Sequence, residues 1–465
     1  VTGARAGSRV AVVGGGLAGM AAALRLASAR CEVVLVERRP FLGGRAFSFR
    51  DPDTGAVIDN GQHVLVGACG RLRAFLSAID SPRDAFARQR ALSVPILDGR
   101  GRRGTLSAAP LPAPFHLLPA LLRYRHLGLA DRLRVARDAR ALAAYRDRSA
   151  LEDVPLGAWL AARGATRAAV ERFWEPLVTP ALNAPVAEAN APLSAFFVER
   201  ALWGGRADGA LWLPQTGLSE AIGEPGLAAL ERVGVEIRAG ERVDSVAIDA
   251  HRAVGVVLSG GEAIAADAVV CALAPREADA VLSPSDGDPA IGERRYGAIG
   301  ATPIVNAYLW YDRPVAETAF AGTFGSPLQW IFDRERLLGA ERSGGPCLGI
   351  SLSAAWDWID LSKDAIAERL DAAVERVLPR RRGARLEASA VVKEPRATFR
   401  ANAGCARRRP GPKGPAAGLW LAGDWTDTGW PATMESAVRS GERAAAAALA
   451  GIRAPDGSTV ADAGR

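Results

Sequence analysis

Residues 9–37 read RVAVVGGGLAGMAAALRLASARCEVVLVE, and this stretch decides the fold. Arg9-Val10-Ala11-Val12-Val13 is a short apolar run of the kind that forms a strand buried on both faces of a parallel sheet. Gly14-Gly15-Gly16-Leu17-Ala18-Gly19 follows, then a helical pattern through Leu24 and Leu26. The order strand, tight turn, helix gives G-x-G-x-x-G its meaning. Gly14 allows the turn, Gly16 lets the backbone approach a pyrophosphate, and Gly19 permits close packing of helix on strand. A second strand, Glu32 to Val36, ends at Glu37, about twenty residues on, where a carboxylate can take both ribose hydroxyls. The stretch predicts an α/β fold with a Rossmann-like dinucleotide-binding domain.

The fingerprint recognises the ADP part of a dinucleotide, which NAD and FAD share. Arg38-Arg39 would greet a 2′-phosphate, but Glu37 would repel one, which disfavours NADP. Two further segments select FAD. Leu42-Gly43-Gly44-Arg45 lies just past the acid and offers backbone N–H groups and a guanidinium to phosphate or flavin oxygens. Far along the chain, LAGDWTDTGWPATMESAVRSG (421–441) starts as a strand, turns on Gly423-Asp424 and enters a helix through Pro431. Asp424 is positioned to bond a ribityl chain. The amides near Thr433 and Met434 would stabilise negative charge on a reduced ring.

Composition narrows the rest. A chain of 465 residues, 49% hydrophobic, can bury a large core shared by two or three domains. The five cysteines, Cys31, Cys69, Cys271, Cys347 and Cys405, are odd in number, dispersed and without a CxxC pair, which argues against a disulfide framework or metal site and for a reducing cytoplasm. The net charge of +7 comes almost wholly from arginine, since Lys363, Lys393 and Lys413 are the only lysines. With no nucleic-acid module, the basic balance reads as solvated surface, and the clusters 380–382 and 407–409 as solvated loops. No apolar run approaches a bilayer span, so the sequence predicts a soluble or peripheral protein.

Between the two ends the pattern predicts a discontinuous cofactor domain. Residues 1–95 form its first part, 206–285 its second and 396–465 its C-terminal part. The second part carries a helix up to Val233, then strands at 235–237, 243–248, 254–258 and 268–272, with Gly260-Gly261 as a hairpin signal. Val243 is positioned to lay its backbone against an adenine. Residues 96–205, mainly helical, and 286–395, mixed strand and helix, make up an inserted α+β substrate domain.

These residues carry a family resemblance. The glycine fingerprint, Leu42 to Arg45, Asp59-Asn60-Gly61-Gln62-His63, Gln329-Trp330 and the segment from Ala422 to Gly441 resemble the amine oxidase and phytoene desaturase superfamily of flavoproteins. Within it the chain is most similar to the hydroxysqualene dehydroxylases, or squalene-associated FAD-dependent desaturases. The similarity includes Phe173-Trp174-Glu175-Pro176-Leu177 and Ala181-Leu182-Asn183-Ala184-Pro185. It implies an amine oxidase-like two-domain architecture and non-covalent FAD, with Gly61, Gln62 and His63 at the flavin and Trp174, Asn183 and Trp330 at the substrate. The stretch from Gly404 to Gly418 departs from the family in its Arg, Gly and Pro content, and the surroundings of Cys405 do not resemble a flavin attachment motif.

The implied reaction is loss of an allylic hydroxyl from hydroxysqualene, a hydrophobic isoprenoid, with electrons from a reductant the sequence does not identify. Hydroxide leaves poorly, so a proton donor is required. His63, one of four histidines, titrates in the right range, either as that acid or as a loop-fixing residue beside the flavin. Asp59 either orients it or makes a turn with Asn60-Gly61. Asp427 and Glu435 are rival acids, read more simply as a turn aspartate and a first-turn helix carboxylate. The segment 111–125 is apolar, then basic. It reads either as a contact with the inner face of a membrane or as a buried amphipathic helix. Two other functions share the pattern: an oxidising member of the superfamily (carotenoid desaturase, amine or porphyrinogen oxidase) and a flavin-free lipid-binding protein of the GDP dissociation inhibitor type.

Overall fold

The computed structural model of the chain describes residues 7–145, 147–282 and 296–453. Two sheets organise it. The first has five parallel strands in the order Glu236–Ala239, Glu32–Glu37, Arg9–Val13, Ala268–Cys271, Leu419–Leu421. Val10 through Val13 are buried on both faces, as an all-apolar run requires, with Val12 paired to Leu35 on one side and Val270 on the other. The chain builds outward from this central strand first in one direction and later in the other. The strand order therefore reverses beside it, and such a reversal leaves a crevice at the carboxyl ends of the strands.

The helix Leu17–Ser28 and the C-terminal helix Met434–Arg453 pack together in the core on this sheet. Gly441 makes their approach possible, because a Cβ there would stand 2.0 Å from the carbonyl oxygen of Ala18. The loop from Gly404 to Gly418, atypical in composition, wraps the edge strand: Leu421 donates to the Pro412 carbonyl and Gly414 to that of Leu419.

The second sheet has seven strands, Leu386–Phe399, Ala301–Tyr311, Cys347–Ser353, Trp330–Asp333, Phe320–Phe324, Ser93–Asp98 and Arg103–Ser107. It is antiparallel except where Phe320–Phe324 meets Ser93–Asp98. Side chains alternate between its faces. Ala307, Ile331 and Ile350 join Ile366, Leu370 and Val374 of the helix Lys363–Val377 in one core. The opposite face turns Asn306 and Tyr308 toward the loop after residue 58, where the Tyr308 hydroxyl donates to the Asp59 carbonyl (2.8 Å). Short helices fill residues 115–202.

The mainly helical segment expected at 96–205 thus opens with strands, because their partner is supplied by the distant Phe320–Phe324. The expected boundaries at 95/96 and 395/396 fall inside the strands Ser93–Asp98 and Leu386–Phe399. A hydrogen-bonded strand belongs to one sheet, so we propose that the seams of the substrate domain lie just before Ser93 and just after Phe399. Residues 286–295 and 454–465 of the expected segments lie outside the described residues. Among the described residues no helix is long and apolar enough to cross a membrane, and no cluster of three potential metal ligands occurs.

Candidate active site

The site grows from the glycine turn. Gly14 has φ +106°, and a Cβ on Gly19 would lie 1.8 Å from the Gly14 carbonyl oxygen, so the helix starts hard against the end of the first strand. That helix has no side-chain cap, which leaves its first-turn N–H groups without intrahelical acceptors and suited to an anionic ligand. The buried Glu37 carboxylate accepts from Gly15 N (2.7 Å) and Arg39 N (2.9 Å). Each oxygen still has a lone pair for a hydroxyl. Gly240 donates to Arg39 O and Glu241 to Glu37 O, which brings the chain leading into the buried Val243 alongside this acid.

Gly43 donates to Gly15 O (2.9 Å), and a Cβ on Gly44 would stand 2.9 Å from Gly16 Cα, so two glycine turns back onto each other with no side chain between them. Of the two arginines after Glu37, Arg38 is exposed and Arg39 folds back, donating to Gly44 O (2.8 Å) with its guanidinium 4.7 Å from the Phe47 ring centroid. Arg45 donates to Asp424 Oδ1 (2.7 Å) and to the Ala397 carbonyl. The Asp424 carboxylate, the largest influence, holds the Arg45 pKa above its ordinary value.

On the C-terminal side, residues 421–426 are all buried. Gly423 N donates to Ser440 Oγ (2.8 Å), and Thr433 caps the last helix by accepting from Ser436 N (3.2 Å). Thr433 and Met434 are half-buried at that helix entrance. Arg409, expected as a solvated loop arginine, is instead buried. It donates to the carbonyls of Thr426 (2.6 Å), Trp425 (3.3 Å) and Asp424 (3.4 Å) and lies over the Phe399 ring. Desolvation lowers its pKa. An arginine in a basic cluster gives no sequence cue that it will brace a turn. Arg381 likewise pairs with Asp371 (2.7 Å) rather than standing in solvent.

The loop 59–63 links the two halves. Asp59 is 1% exposed, accepts from Ser48 Oγ (2.7 Å) and Leu218 N (3.0 Å), and faces the buried Arg334 at 3.7 Å. No hydrogen bond joins Asp59 to His63, so its influence on that ring is electrostatic only. His63 Nδ1 lies 2.7 Å from Gly61 O, which makes Nδ1 the protonated nitrogen and leaves Nε2 as the acceptor in the neutral ring. Burial, the largest effect, depresses the His63 pKa despite the raising influences of Gly61 O and Asp59. Gly61 packs against Asn306, whose Oδ1 accepts from Gln62 N (3.4 Å). Gln62 Oε1 is buried without a protein partner, a costly condition unless a ligand or water supplies a donor. Uncapped helix, paired glycine turns, buried acid with lone pairs to spare and orphaned amide together fit an extended dinucleotide.

The remaining expected residues divide. Trp330 is half-buried, stacks between Phe320 and Phe332 (ring centroids 6.3 Å) and has no partner for its indole N–H. Trp174 is fully enclosed by protein and packs edge-on to Phe173, so it supplies core volume rather than an open face. Asn183 spends its amide on Thr302 O, Thr398 Oγ1 and Ala354 N, tying the helical segment to the large sheet. Glu435, 0% exposed, accepts from Leu72 N (2.7 Å), Arg71 N (3.2 Å) and Arg439 (2.6 Å), and so closes a helix start. Asp427 is exposed and turns onto Gly429 N. Sequence reasoning passed over Asn306, Arg334 and Arg409, which act across hundreds of residues and match no local motif.

Comparison with known proteins extends this picture. The profile of the flavin containing amine oxidoreductase family matches residues 17–449. The chain is 32% identical to a hydroxysqualene dehydroxylase of Rhodopseudomonas palustris, covering 96% of this chain and 99% of that protein. It is 30% identical to a hydroxysqualene dehydroxylase of Sinorhizobium fredii, covering 95% and 98%. Among solved structures, an oxidoreductase from Methanosarcina mazei superposes with a TM-score of 0.72 at 18% identity over 93% of this chain and 99% of that one, which speaks for the fold alone. The matched span runs from the helix that follows the glycine turn, through Glu37, to the C-terminal helix, and the chain belongs to the flavin-containing amine oxidoreductase family.

Proposed function

We propose that this oxidoreductase binds FAD non-covalently and removes the allylic hydroxyl of hydroxysqualene, giving squalene and water. The observation that carries the reading is the similarity to hydroxysqualene dehydroxylases over 96% and 95% of this chain, far more than a cofactor-binding fingerprint alone would cover. Gly14, Gly16, Gly19, Glu37 and Val243 hold the ADP part. Gly44, Arg45, Gly423, Asp424, Thr433 and Met434 hold the flavin part, with Gly61, Gln62 and His63 at the ring. Cys405, buried with its thiol pushed up to about 11, supports non-covalent binding rather than attachment there.

The bound cofactor, once reduced by a separate donor, supplies hydride to the allylic carbon. The chain supplies the rest. As the C–O bond breaks, its electron pair and one proton leave with the hydroxyl as water, and the carbon is left cationic until hydride arrives. The aromatic face of Trp330, flanked by Phe320 and Phe332, stabilises that charge without capturing it as a nucleophile would. His63 is the proton donor in its imidazolium form. Asp59 and Arg334, an ion pair at 3.7 Å with each also bonded to the backbone, fix its loop. A water-insoluble isoprenoid is collected at a membrane, so the working location is the inner membrane face, reached from the cytoplasm.

The test is an anaerobic single turnover. Reduced protein mixed with hydroxysqualene should reoxidise and yield squalene in proportion to its flavin. Failure to reoxidise, with bleaching of the oxidised protein by a carotene or an amine, would transfer the reading to an oxidising family member.

A further inference from the structure

Among the described residues, exposed large apolar side chains concentrate between Leu111 and Leu133. Phe115 is 59% and Leu129 62% exposed, with Leu111, Leu118, Leu122 and Leu133 also in solvent. They are not core residues of a misjudged helix. The short helix Leu118–Leu122 buries Ala120 and Leu121, and the following helix Leu129–Ala143 buries Val135, Ala139 and Leu142. Each helix therefore satisfies the core with one face and presents another. Leu118 with Leu122, and Leu129 with Leu133, are each four residues apart and share a face of their helix. Arg132 locks the two helices together by donating to the carbonyls of Leu127 (2.8 Å) and Leu122. Arg123 and Arg125, both exposed, lie on the connection between them and form no ion pair among the described residues.

A group of exposed apolar side chains on adjoining helices, with basic side chains beside them, marks an interaction site. We propose that this surface, residues 111–133, docks on an anionic lipid leaflet, the leucines and Phe115 entering the acyl boundary while Arg123 and Arg125 meet headgroup phosphates. Charge complementarity selects this occupant over a second copy of the chain. A two-fold interface on this face would gather the unpaired Arg123 and Arg125 of both copies into one buried patch, whereas anionic headgroups neutralise them. The proposal deepens the isoprenoid reading, on which its purpose rests, by naming the surface through which the substrate's membrane is reached.

The test uses the full flavin-loaded chain and vesicles of phosphatidylcholine with or without phosphatidylglycerol. The wild type should sediment with the anionic vesicles. Replacing Leu118, Leu122, Leu129 and Leu133 together by Ser should weaken that binding by about tenfold or more. R123Q/R125Q should abolish the preference for the anionic lipid. Both variants should keep the wild-type circular dichroism and turn over substrate dispersed in detergent, so a failure of docking is separable from a failure of the dehydroxylase reading. Vesicle binding by the leucine variant equal to that of the wild type would overturn the proposal. So would a wild-type dimer that the leucine substitutions convert to monomer with vesicle binding unchanged.

Discussion

Arg45 and Asp424 stand 379 positions apart in the chain, and their side chains meet at 2.7 Å. The pair closes the glycine-rich turn against the C-terminal helix entrance. Asp424 is nearly enclosed, while the Arg45 side chain is 39% exposed, so solvent discounts the interaction. A charge-assisted bond of about 1.5–3 kcal/mol is then expected to count for about 1 kcal/mol. D424N should therefore cost the flavin-free protein about 1 kcal/mol in denaturant unfolding, and a rise in the flavin dissociation constant, measured by fluorescence titration, would show that Asp424 also bonds the cofactor.

Gly441 tests the packing of the two helices that frame the site. A methyl group at that position meets the Ala18 carbonyl at 2.0 Å, and a backbone oxygen cannot swing aside. G441A should cost about 1–3 kcal/mol in denaturant unfolding. G128A, where the added Cβ meets nothing within 4 Å, should be close to neutral.

Glu435 separates a structural carboxylate from a catalytic one. Its oxygens bind two N–H groups of the 70–78 helix start and the Arg439 guanidinium. E435A should destabilise the fold by about 3–5 kcal/mol, because it strands a partner charge and two backbone donors. Activity per bound flavin should remain at the wild-type level. A loss of activity in a variant of unchanged stability would make Glu435 the acid instead.

His63 predicts a pH profile. Burial depresses its pKa below the ordinary 6.5, so at neutral pH only a minor fraction carries the second proton. If that fraction donates, the rate of C–O cleavage rises as pH falls, by about tenfold per unit above the pKa. H63Q should slow the step by about 10²- to 10⁴-fold and flatten the profile while keeping the flavin. An unchanged profile would leave His63 as a loop-fixing residue.

Three desolvated histidines contribute to the acid limit of stability. His63, His116 and His126 all have pKa values lowered from 6.5, mainly by desolvation. The unfolded chain then binds more protons than the folded one below that pH, so stability present above about 6.5 is lost as pH falls through it. Melting temperatures between about pH 7.5 and 5.5 should decline, and H126Q should shallow the decline.

What the sequence made legible follows physical range. The fingerprint from Val10 to Glu37 shows its own strand, turn and helix because the bonds that shape the turn, Gly14 N to Val36 O and Gly15 N to Glu37, lie within it, and the Asp424 turn is marked by residues with few other uses. Strand Ser93–Asp98 was missed because Phe320–Phe324 completes it from far along the chain. Arg409 read as solvent-facing because burial of an arginine depends on which carbonyls converge on it, here those of residues 424–426. Trp174 and Trp330 are alike in sequence, yet the first is fully enclosed and the second half-buried, a distinction set by packing.

The central claim is that both ends of the chain hold one FAD. The direct measurement is equilibrium binding of FAD and of FMN, which lacks the adenylate (AMP) half, to natively folded flavin-stripped protein. The account predicts that FAD binds stoichiometrically and survives gel filtration, that FMN does not, and that a variant lacking the Glu37 carboxylate loses the distinction. Folded protein that takes up neither flavin, or holds FMN as firmly as FAD, would contradict it.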